Sequence, residues 1–514
     1  MRQIWRGLDL DVPTQATILS MIAAAAVRFP DRPALVDGAS NRTTCYEELI
    51  DKVRRVASAF RARGAGPGSC LAVHGPNSAD GVIAALGMAA TGGAFTGASP
   101  ALTADELCRL INITRARFLV TSLPLLAIAR EAASRAGAPE LIVLDGKADG
   151  AIAFSQLLDG VSPLNDFTVG PETVAMRPCS SGTSGLPKAV ELTHHALAAA
   201  ALQVRAATGM RQDDTLLAVA PMFHIMGTAF FIGAGLTLGA SIRVMPRFGL
   251  EPFLDAIERG GVTFLVATPP IMQGLADHPA VDNYDLSRVR LTVCSGAATS
   301  AEVEKKVARR LGTVVAQAFG MTEMSGPIAF NPPETPRPGT CGILVPGTEA
   351  RIVDPNIDAD KGAGEIGEIW VRGPQMMRGY FANAEATRAA FSPDGWLRTG
   401  DMGFFDAHGY LHLVDRLKEL IKVNAYQVAP TELEALIVSH PAVADAAVVG
   451  RPNEKTGEIP VAFVVPRSQI EANELITWLA ARVAPYKKIH AVEFVDHIPR
   501  SPAGKILRRL LKGA

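Results

Sequence analysis

Short apolar runs alternate with alanine-rich helical segments along the first two-thirds of the chain. CLAVHGP (70–76) is followed by GVIAALGMAATGG (81–93), and ARFLVTS (116–122) is followed by LLAIAREAASRAG (125–137). Apolar runs of this length, bounded by turn residues and alternating with helices, are typical of βαβ units with buried parallel strands. We therefore expect an α/β fold in which two doubly wound β/α subdomains form most of the N-terminal part.

The pattern changes twice in the last third. From Glu334 onward, Gly- and Pro-rich turns separate short strands such as GEIGEIWVRG (364–373), which predicts a small antiparallel β-barrel. After GYLHLVDRLKE (409–419) a new α+β pattern begins, with helices and strands that follow one another to the end of the chain. We expect a large N-terminal domain over 1–415 and a small, mobile α+β domain over 416–514, with a hinge near Lys418.

One segment has the length and composition of a membrane span. Residues 215–242 contain no Asp, Glu, Lys or Arg, which is enough apolar chain to cross a bilayer. Pro221 and four glycines interrupt the segment, and TLLAVAP (215–221) is typical of a buried parallel strand. The prediction is a strand, a loop and a helix inside the core.

Composition restricts the function classes. The 514 residues exceed one ordinary core, and 48% hydrophobic residues, 20% charged residues and a net charge of -1 indicate no nucleic-acid or anionic membrane surface. The N-terminus lacks a signal-peptide pattern, and the six cysteines are scattered without metal-ligand spacing. We expect a cytoplasmic protein with reduced thiols, whose basic end (505–514) forms a short solvated helix.

Chemistry is concentrated first in CSSGTSGLPKAVELTHH (179–195). Small residues expose backbone N–H groups and allow close approach, and Lys188 adds a positive charge, as an anion site requires. The spacing is not that of a Walker A loop. Taken alone, a segment of this kind is more often an ordinary surface turn than a phosphate site.

Four further motifs follow in order: AFGMTE (318–323), RTGD (398–401), VDRLKELIKVNAYQVAP (414–430) and PRSPAGKILRR (499–509). Separately they fit a helix cap, a β-turn, a solvated hinge and a basic tail. Together, and in this order, they resemble the adenylate-forming superfamily, and within it acyl-CoA ligases similar to 4-coumarate–CoA ligase. The resemblance covers essentially the whole chain and implies an AMP-forming acid–thiol ligase that uses ATP, Mg²⁺ and CoA.

The resemblance also implies roles for individual residues. Phe319 and Gly320 would contact adenine, Asp401 and Arg416 the ribose, and Thr322 and Glu323 the α-phosphate and Mg²⁺. Lys505 would reach the carboxylate and α-phosphate during adenylation and would leave when the small domain rotates about Lys418; Lys422 and Gln427 would also contact the nucleotide. The β- and γ-phosphates would be held by Ser180, Ser181, Gly182, Thr183, Ser184, Gly185 and Lys188.

The acid pocket implied by the resemblance is small and apolar, so we expect a hydrophobic aryl or acyl acid. Met226 stands where phenolic-acid ligases often carry tyrosine, which argues weakly against 4-coumarate itself. The expected pocket residues are His224, Met226, Ser295, Gly296, Ala297, Ala298, Ala318, Met321, Pro327 and Ile328.

The chain departs from the family pattern at Ser184, Ala189, Ala318 and, above all, Asn424–Ala425, where relatives typically carry Lys-Gly. Alanine forced into a glycine conformation costs on the order of 1–3 kcal/mol, and a methyl group in a narrow thiol tunnel would displace CoA. One alternative is therefore an enzyme that forms the acyl-adenylate while the thioester step is slow or falls to a partner enzyme or carrier protein; the other is that the loop relaxes and CoA enters normally.

Other classes stay open at this point. A luciferase-type oxygenase shares the nucleotide motifs, and a peptide-synthetase adenylation domain would be followed by a carrier domain, whereas only nine residues follow Lys505. A non-catalytic acyl- or nucleotide-binding protein would be expected to lack Lys188, Glu323, Asp401 or Lys505, and all four are present. The sequence does not distinguish a monomer from a homodimer.

Overall fold

The computed structural model describes residues 3–38, 40–180, 187–222, 224–297, 299–423, 426–453, 456–501 and 504–511. Two nine-stranded sheets, one five-stranded antiparallel sheet and a separate five-stranded mixed sheet carry the fold, with helices packed around them. The α/β prediction with a small α+β region at the C-terminal end is confirmed.

The sheet that contributes most to the site lies in the middle of the chain. Four of its neighbouring strands are mutually parallel: Val314–Met321, Leu291–Cys294, Phe264–Ala267 and Thr215–Ala218. Parallel strands place their carboxyl ends at one edge of a sheet. In spatial order the sheet consists of Ile343–Leu344, Gly326–Phe330, Val314–Met321, Leu291–Cys294, Phe264–Ala267, Thr215–Ala218, Ser241–Val244, Pro33–Asp37 and Thr43–Cys45.

The second nine-stranded sheet has a parallel centre and an antiparallel end that includes Lys188. There, Gly379–Tyr380 pairs with Lys188–Thr193, so a segment almost two hundred residues downstream lies beside the glycine-rich motif. In spatial order its other strands are Cys179–Ser180, then Lys188–Thr193 itself, Val174–Met176, Ala94–Ala98, Cys70–His74, Phe118–Thr121, Glu140–Val143 and Ile152–Ala153.

Two smaller sheets follow. The region predicted as a small barrel is the antiparallel sheet Trp5–Arg6, Glu349–Val353, Gly367–Arg372, Leu397–Phe405 and Leu411–Arg416. The C-terminal sheet contains Tyr426–Val428, Ile421–Val423, Gly457–Pro466 and Val443–Asn453, with Ala491–Phe494 parallel to Gly457–Pro466. The change of sheet between Arg416 and Ile421 surrounds the predicted hinge residue Lys418, whose function as a pivot stays a prediction.

Helices cover the faces of these sheets, and several begin at a side-chain cap. Thr193, for example, ends the strand that starts at Lys188 and caps the next helix by accepting a hydrogen bond from the Ala196 N–H at 3.0 Å. The α-helices are Ile18–Arg28, Tyr46–Ala62, Ala79–Ala90, Ala104–Thr114, Leu126–Arg135, Phe154–Leu158, His194–Thr208, Ile225–Gly227, Leu250–Gly260, Pro269–Asp277, Ala301–Leu311, Ala384–Ala390, Pro430–Val438, Ala472–Ala480 and Arg508–Leu511. Short 3₁₀ turns occur at Leu123–Leu125, Pro279–Asn283, Thr322–Met324 and Pro485–Lys487.

The uncharged stretch 215–242 is internal, as predicted. It forms the buried strand Thr215–Ala218, the short helix Ile225–Gly227 and the π-helix Thr228–Leu236, all of whose residues are buried. Within the described residues, no helix combines the length and the apolarity that a membrane crossing needs.

The expectation of a solvated basic C-terminal helix is wrong. The helix Arg508–Leu511 packs on the C-terminal sheet, where Leu511 is buried and Arg508 donates to both carboxylate oxygens of Glu434 at 2.8 Å. Charge composition cannot distinguish a solvated arginine from one paired with a carboxylate that lies 74 residues away in the sequence.

The amino ends of the parallel strands are joined through Asp214. Its carboxylate accepts hydrogen bonds from Thr263 Oγ1 at 2.7 Å and Arg290 Nε at 2.8 Å, and these two residues precede the strands that start at Phe264 and Leu291. Burial alone raises the pKa of Asp214, but hydrogen bonds from Arg290, the Arg211 N–H and Thr263 outweigh it and hold the pKa below its usual value. Ionised Asp214 thus fixes three strand starts at the edge opposite their carboxyl ends.

Replacing Asp214 with Asn should lower the free energy of unfolding by about 3 kcal/mol at pH 7, because Arg290 loses its anionic partner. Since the folded-state pKa of Asp214 is depressed, its stabilisation is present above about pH 4 and is lost as the pH falls through the folded-state pKa. Urea unfolding of wild type and Asp214→Asn, followed by circular dichroism, should show a difference that narrows below pH 4. A difference that stays constant from pH 7 to pH 3 would contradict this assignment.

Candidate active site

Lys188 begins the strand that leaves the glycine-rich motif. Its backbone pairs with Ser180, the last described residue before that motif, and its ammonium group lies 4.9 Å from the centre of the Tyr380 ring. A cation at this distance from an aromatic ring is attracted to it. The predicted phosphate-binding residues Ser181 to Gly185 lie outside the described residues, so the structure places only the two ends of the motif.

Glu323 is buried directly after a parallel strand. Val314–Met321 ends in the 3₁₀ turn Thr322–Met324, and Glu323 within that turn is 6% exposed. Gly320 allows this turn, because a Cβ atom there would lie 2.2 Å from the carbonyl oxygen of Gly326. The carboxylate therefore projects from a rigid position at the carboxyl edge of the sheet.

Tyr380 joins these two predicted groups, and sequence reasoning missed it. Its hydroxyl donates a hydrogen bond of 3.0 Å to Glu323 Oε1, while its ring faces Lys188. Burial, and then the charge of Glu323, raise the pKa of Tyr380, so it stays a phenol and a donor. The only sequence signal is an aromatic residue in RGYF (378–381), which is equally typical of a core strand.

Asp401 and Arg416 form a second polar pair. They are directly opposite in the antiparallel strands Leu397–Phe405 and Leu411–Arg416, and Arg416 Nε lies 3.1 Å from Asp401 Oδ1. Burial raises the pKa of Asp401, whereas the charges of Arg416 and Lys505 act in the opposite direction. RTGD and the segment that starts at Val414 thus meet through cross-strand register, as two ribose-binding residues would have to.

Lys505 enters from the C-terminal domain. Gly504, just before it, packs against the start of the helix Pro269–Asp277, with an added Cβ only 3.2 Å from Pro270 Cδ. Burial, and then the charge of Arg416, lower the pKa of Lys505, while Asp401, Glu419 and Glu323 oppose this change. Lys505 therefore lies within electrostatic range of both predicted carboxylates.

His224 also lies within electrostatic range of Lys505. It caps the helix Ile225–Gly227, where its Nδ1 accepts a hydrogen bond from the Met226 N–H at 3.3 Å. Burial, and then the charge of Lys505, lower the pKa of His224 to about 4, so the imidazole is neutral at pH 7. The side chain of Met226 is buried beside it.

The loop after Leu291–Cys294 provides part of the predicted acid pocket. Ser295 Oγ donates to the Ala318 carbonyl at 3.2 Å, and Gly296 adopts a φ of +94°, which favours glycine. Behind this loop, Glu304 accepts hydrogen bonds from the Gln317 side chain and from the Gly339 N–H at 3.1 Å. Burial raises the pKa of Glu304 to about 7, and neither Glu304 nor Gln317 was among the predicted residues.

Family models match both parts of the chain: "AMP-binding enzyme" over residues 22–381 and "AMP-binding enzyme C-terminal domain" over residues 432–505. The chain belongs to the AMP-binding enzymes. It is 36% identical to 4-coumarate–CoA ligase 3 of Oryza sativa subsp. japonica, over 98% of this chain and 93% of the rice protein.

Solved structures of this family superpose on nearly the whole chain. The anthranilate CoA ligase AuaEII in complex with anthranoyl-AMP is 26% identical, with a TM-score of 0.89 over 98% of each chain. ATP-bound MatB from Rhodopseudomonas palustris is 27% identical, with a TM-score of 0.87 over 96% of this chain and 98% of MatB. The predicted membership of the adenylate-forming superfamily is confirmed.

The donor set fits the Mg²⁺ that AMP-binding enzymes use. Glu323 has one carboxylate oxygen bonded to Tyr380 and offers the other, and Mg²⁺ is usually bound through one or two carboxylates together with substrate phosphates and water. No group of three or more His, Cys, Asp or Glu side chains is arranged to hold a metal ion in the described ranges, and this mode of binding needs none.

For the remaining predicted residues of this AMP-binding enzyme, the structure gives at most a position in the fold. Phe319 packs in the core and is 8% exposed; Lys418 and Lys422 are exposed, on the inter-domain turn and the C-terminal sheet. Thr322, Ala297, Met321, Pro327 and Ile328 lie at the same strand ends as the site. Gln427 belongs to the strand Tyr426–Val428, and Ala298, Asn424 and Ala425 lie outside the described residues. Individual roles of all these residues stay predictions.

Replacing Tyr380 with Phe should raise the Mg²⁺ concentration needed for half-maximal adenylation by about 10-fold, because Glu323 loses its fixed orientation. Pyrophosphate exchange measured over a Mg²⁺ titration checks this. Tyr46→Phe is the matched control, since it also removes one hydroxyl bond (2.7 Å to the Ala240 carbonyl) in a buried place outside the site. Equal Mg²⁺ dependence of the two variants would mean that Tyr380 does not orient Glu323.

Proposed function

We propose that this enzyme activates a hydrophobic aryl or acyl carboxylic acid with ATP and transfers the acyl group to CoA. ATP-dependent acid–CoA ligation through an acyl-adenylate is the activity of its relatives and uses ATP, Mg²⁺ and CoA. The observation that carries the proposal is the convergence of Lys505 with Glu323 and His224, which follow two parallel strands of one sheet, and with Asp401 of the antiparallel sheet.

The first step joins two anions. An oxygen of the substrate carboxylate attacks the α-phosphorus of ATP, the bond to the β-phosphate oxygen breaks, and pyrophosphate leaves. Preorganised positive charge and N–H donors stabilise the transition state of such a step. Lys505 would supply charge at the reacting carboxylate and α-phosphate, and Lys188 with the motif that precedes it would hold the departing phosphates.

The nucleotide would be oriented by groups that do not react. Asp401, held by Arg416, would accept hydrogen bonds from the ribose hydroxyls, and Phe319 with Gly320 would contact adenine. Glu323 and Thr322 would lie at the α-phosphate, where bound Mg²⁺ screens phosphate charge. The charge of Arg416, whose Nε lies 3.1 Å from Asp401 Oδ1, favours an ionised Asp401, which is the state that accepts from two hydroxyls.

The acid would bind between His224 and the loop that starts at Ser295. A neutral imidazole and the buried Met226 form an apolar wall that accepts a neutral ring or chain and repels no carboxylate. Two relatives are described as a 4-coumarate–CoA ligase and an anthranilate CoA ligase, which supports an aryl acid as the first class to test.

The second step attaches CoA. We propose that the C-terminal domain rotates about Lys418, takes Lys505 away and lets the CoA thiol attack the acyl carbonyl, releasing AMP. Asn424–Ala425 would line the thiol's path, so the thioester step is either ordinary or slow and passed to a partner enzyme or carrier protein. A cytoplasmic location and a homodimer are further parts of this proposal.

Acid-dependent exchange of labelled pyrophosphate into ATP tests the first step with 4-coumarate, cinnamate, anthranilate, benzoate, octanoate and decanoate. Lys505→Ala should reduce exchange at least 100-fold, because the reacting carboxylate loses its positive charge. The same variant should still convert chemically synthesised acyl-adenylate and CoA to the thioester. Lys487→Ala, which breaks an exposed ion pair with Glu432 in the same domain, is the control.

One outcome would contradict the proposal, and another would decide between the two forms of the thioester step. Silence of the wild-type enzyme across the whole panel would favour a non-catalytic binding protein. Exchange without thioester formation would instead support an adenylating enzyme whose acyl group goes to another acceptor, and restoration of thioester formation by Ala425→Gly would place the cause in the 424–425 loop.

A further inference from the structure

We infer that Arg500 is a positioning residue that orients the side chain of Lys505. This orientation affects the rate of the adenylation step but not the rate of the thioester step. The inference rests on the proposed function of Lys505. It concerns the hairpin from Pro499 to Arg508, of which residues 502 and 503 lie outside the described residues.

The hairpin is closed by backbone bonds on both sides of the lysine. Arg500 and Ile506 form an antiparallel bridge, and the Leu507 N–H donates to the Pro499 carbonyl at 2.8 Å. Nearer the tip, the Ser501 N–H donates to the Lys505 carbonyl at 2.7 Å. Lys505 is therefore carried on a short ladder and not on a free tail.

The peptide bond that precedes Lys505 is held at both of its polar atoms. Arg500 Nη1 donates to the Gly504 carbonyl oxygen at 3.0 Å, and the Lys505 N–H donates to Ser501 Oγ at 3.2 Å. Rotation of this peptide would change the direction of the Lys505 Cα–Cβ bond and swing the ammonium group. Gly504 has a φ of +81°, a conformation that glycine leaves easily unless it is fixed from outside.

Arg500 is itself anchored to the body of the domain. Its Nη2 donates to Asp445 Oδ1 at 2.8 Å and to Oδ2 at 2.9 Å, on the strand Val443–Asn453. The guanidinium group has five donors in a rigid plane, so it can bind one carboxylate and one carbonyl at the same time. One side chain thus connects the strand Val443–Asn453 of the C-terminal sheet with the peptide that orients Lys505.

Arg508, at the other end of the hairpin, has a different function. Arg508 and its partner Glu434 are each 10% exposed, so breaking this pair leaves a buried charge and weakens the domain. Arg500 and Asp445 are 27% and 35% exposed, a range in which ion pairs contribute little to stability. Substitution of Arg500 should therefore leave the fold intact and release only the peptide.

Selectivity for one half-reaction follows from the position of Lys505. Gly504 lies beside Pro270 of the large domain, and Lys505 acts on Asp401 and His224, which is the arrangement that the proposed adenylation step needs. In the proposed thioester step Lys505 is away from the reacting atoms, so the orientation of its side chain does not affect the rate of that step. A displacement of about 1 Å at a reacting group costs on the order of 100-fold in rate.

The test measures both half-reactions separately in the full-length enzyme. Arg500→Gln should lower pyrophosphate exchange by between about 10-fold and 100-fold with the panel acid that exchanges fastest. The rate of thioester formation from the synthetic adenylate of that acid and CoA should stay within about 2-fold of wild type. Arg500→Lys can keep a bond to Asp445 or to the Gly504 carbonyl but not both, so its exchange rate should lie between those of Arg500→Gln and wild type. Ser501→Ala removes the bond to the Lys505 N–H, so it should also lower exchange while leaving thioester formation unchanged.

Arg451→Gln is the matched control. Arg451 lies on the same strand as Asp445, its pair with Glu493 has similar exposures of 31% and 36%, and its guanidinium group lies over the ring of Phe463 on the neighbouring strand. It should leave exchange within about 2-fold of wild type, and the melting temperatures of Arg451→Gln and Arg500→Gln should agree.

The outcomes separate this inference from the function on which it rests. If Lys505→Ala abolishes exchange but Arg500→Gln leaves exchange unchanged, Arg500 does not position Lys505 and the inference is wrong. Equal losses in both half-reactions of Arg500→Gln would show a general structural effect and also overturn it. If Lys505→Ala leaves exchange intact, the proposed function of the lysine fails first.

Discussion

Parallel pairing of four strands is the constraint on which the site depends. Because Thr215–Ala218, Phe264–Ala267, Leu291–Cys294 and Val314–Met321 run in one direction, the segments that follow them must leave from the same edge. Those segments carry His224, Pro269–Pro270, Ser295 and Glu323, in separate parts of a hundred-residue stretch. The bonds of Asp214, Thr263 and Arg290 fix the opposite edge, so stability and chemistry are placed at different ends of the same strands.

Charge balance explains why the small domain docks on this edge. Asp401, Glu323 and Glu419 are carboxylates that act on one another and on Lys505, and buried carboxylates without counter-charges cost several kcal/mol each. Arg416 and Lys505 act on Asp401, and Arg508 is paired with Glu419, so Lys505 and Arg508 bring positive charge from beyond the inter-domain turn.

The spacing of apolar residues predicted the architecture well, because within each strand or helix this spacing indicates which face is buried. The runs around Val73, Leu119 and Val293 became buried parallel strands, and the motifs around Glu323, Asp401 and Lys505 came together. Tyr380, Glu304 and Arg500 could not be found in this way. These residues matter because they bond, in the same order, to Glu323, Gln317 and Gly504 in the folded chain. A single tyrosine, glutamate or arginine outside any repeated pattern does not indicate in the sequence which residue it will contact. The C-terminal helix was mispredicted for the same reason, since the partner of Arg508 is Glu434.

The direction of a reactive lysine is harder to fix when the lysine belongs to a separately folded domain than when it lies on the main sheet. Within one domain, packing around a side chain fixes its direction; across a domain boundary, each approach must recreate that direction. The bonds from Arg500 and Ser501 to the Gly504–Lys505 peptide belong entirely to the small domain, so they would be kept if that domain rotates as proposed. Lys505 would then be withdrawn and returned as part of a rigid unit, and docking of Gly504 against Pro270 would need to fix only the position of that unit.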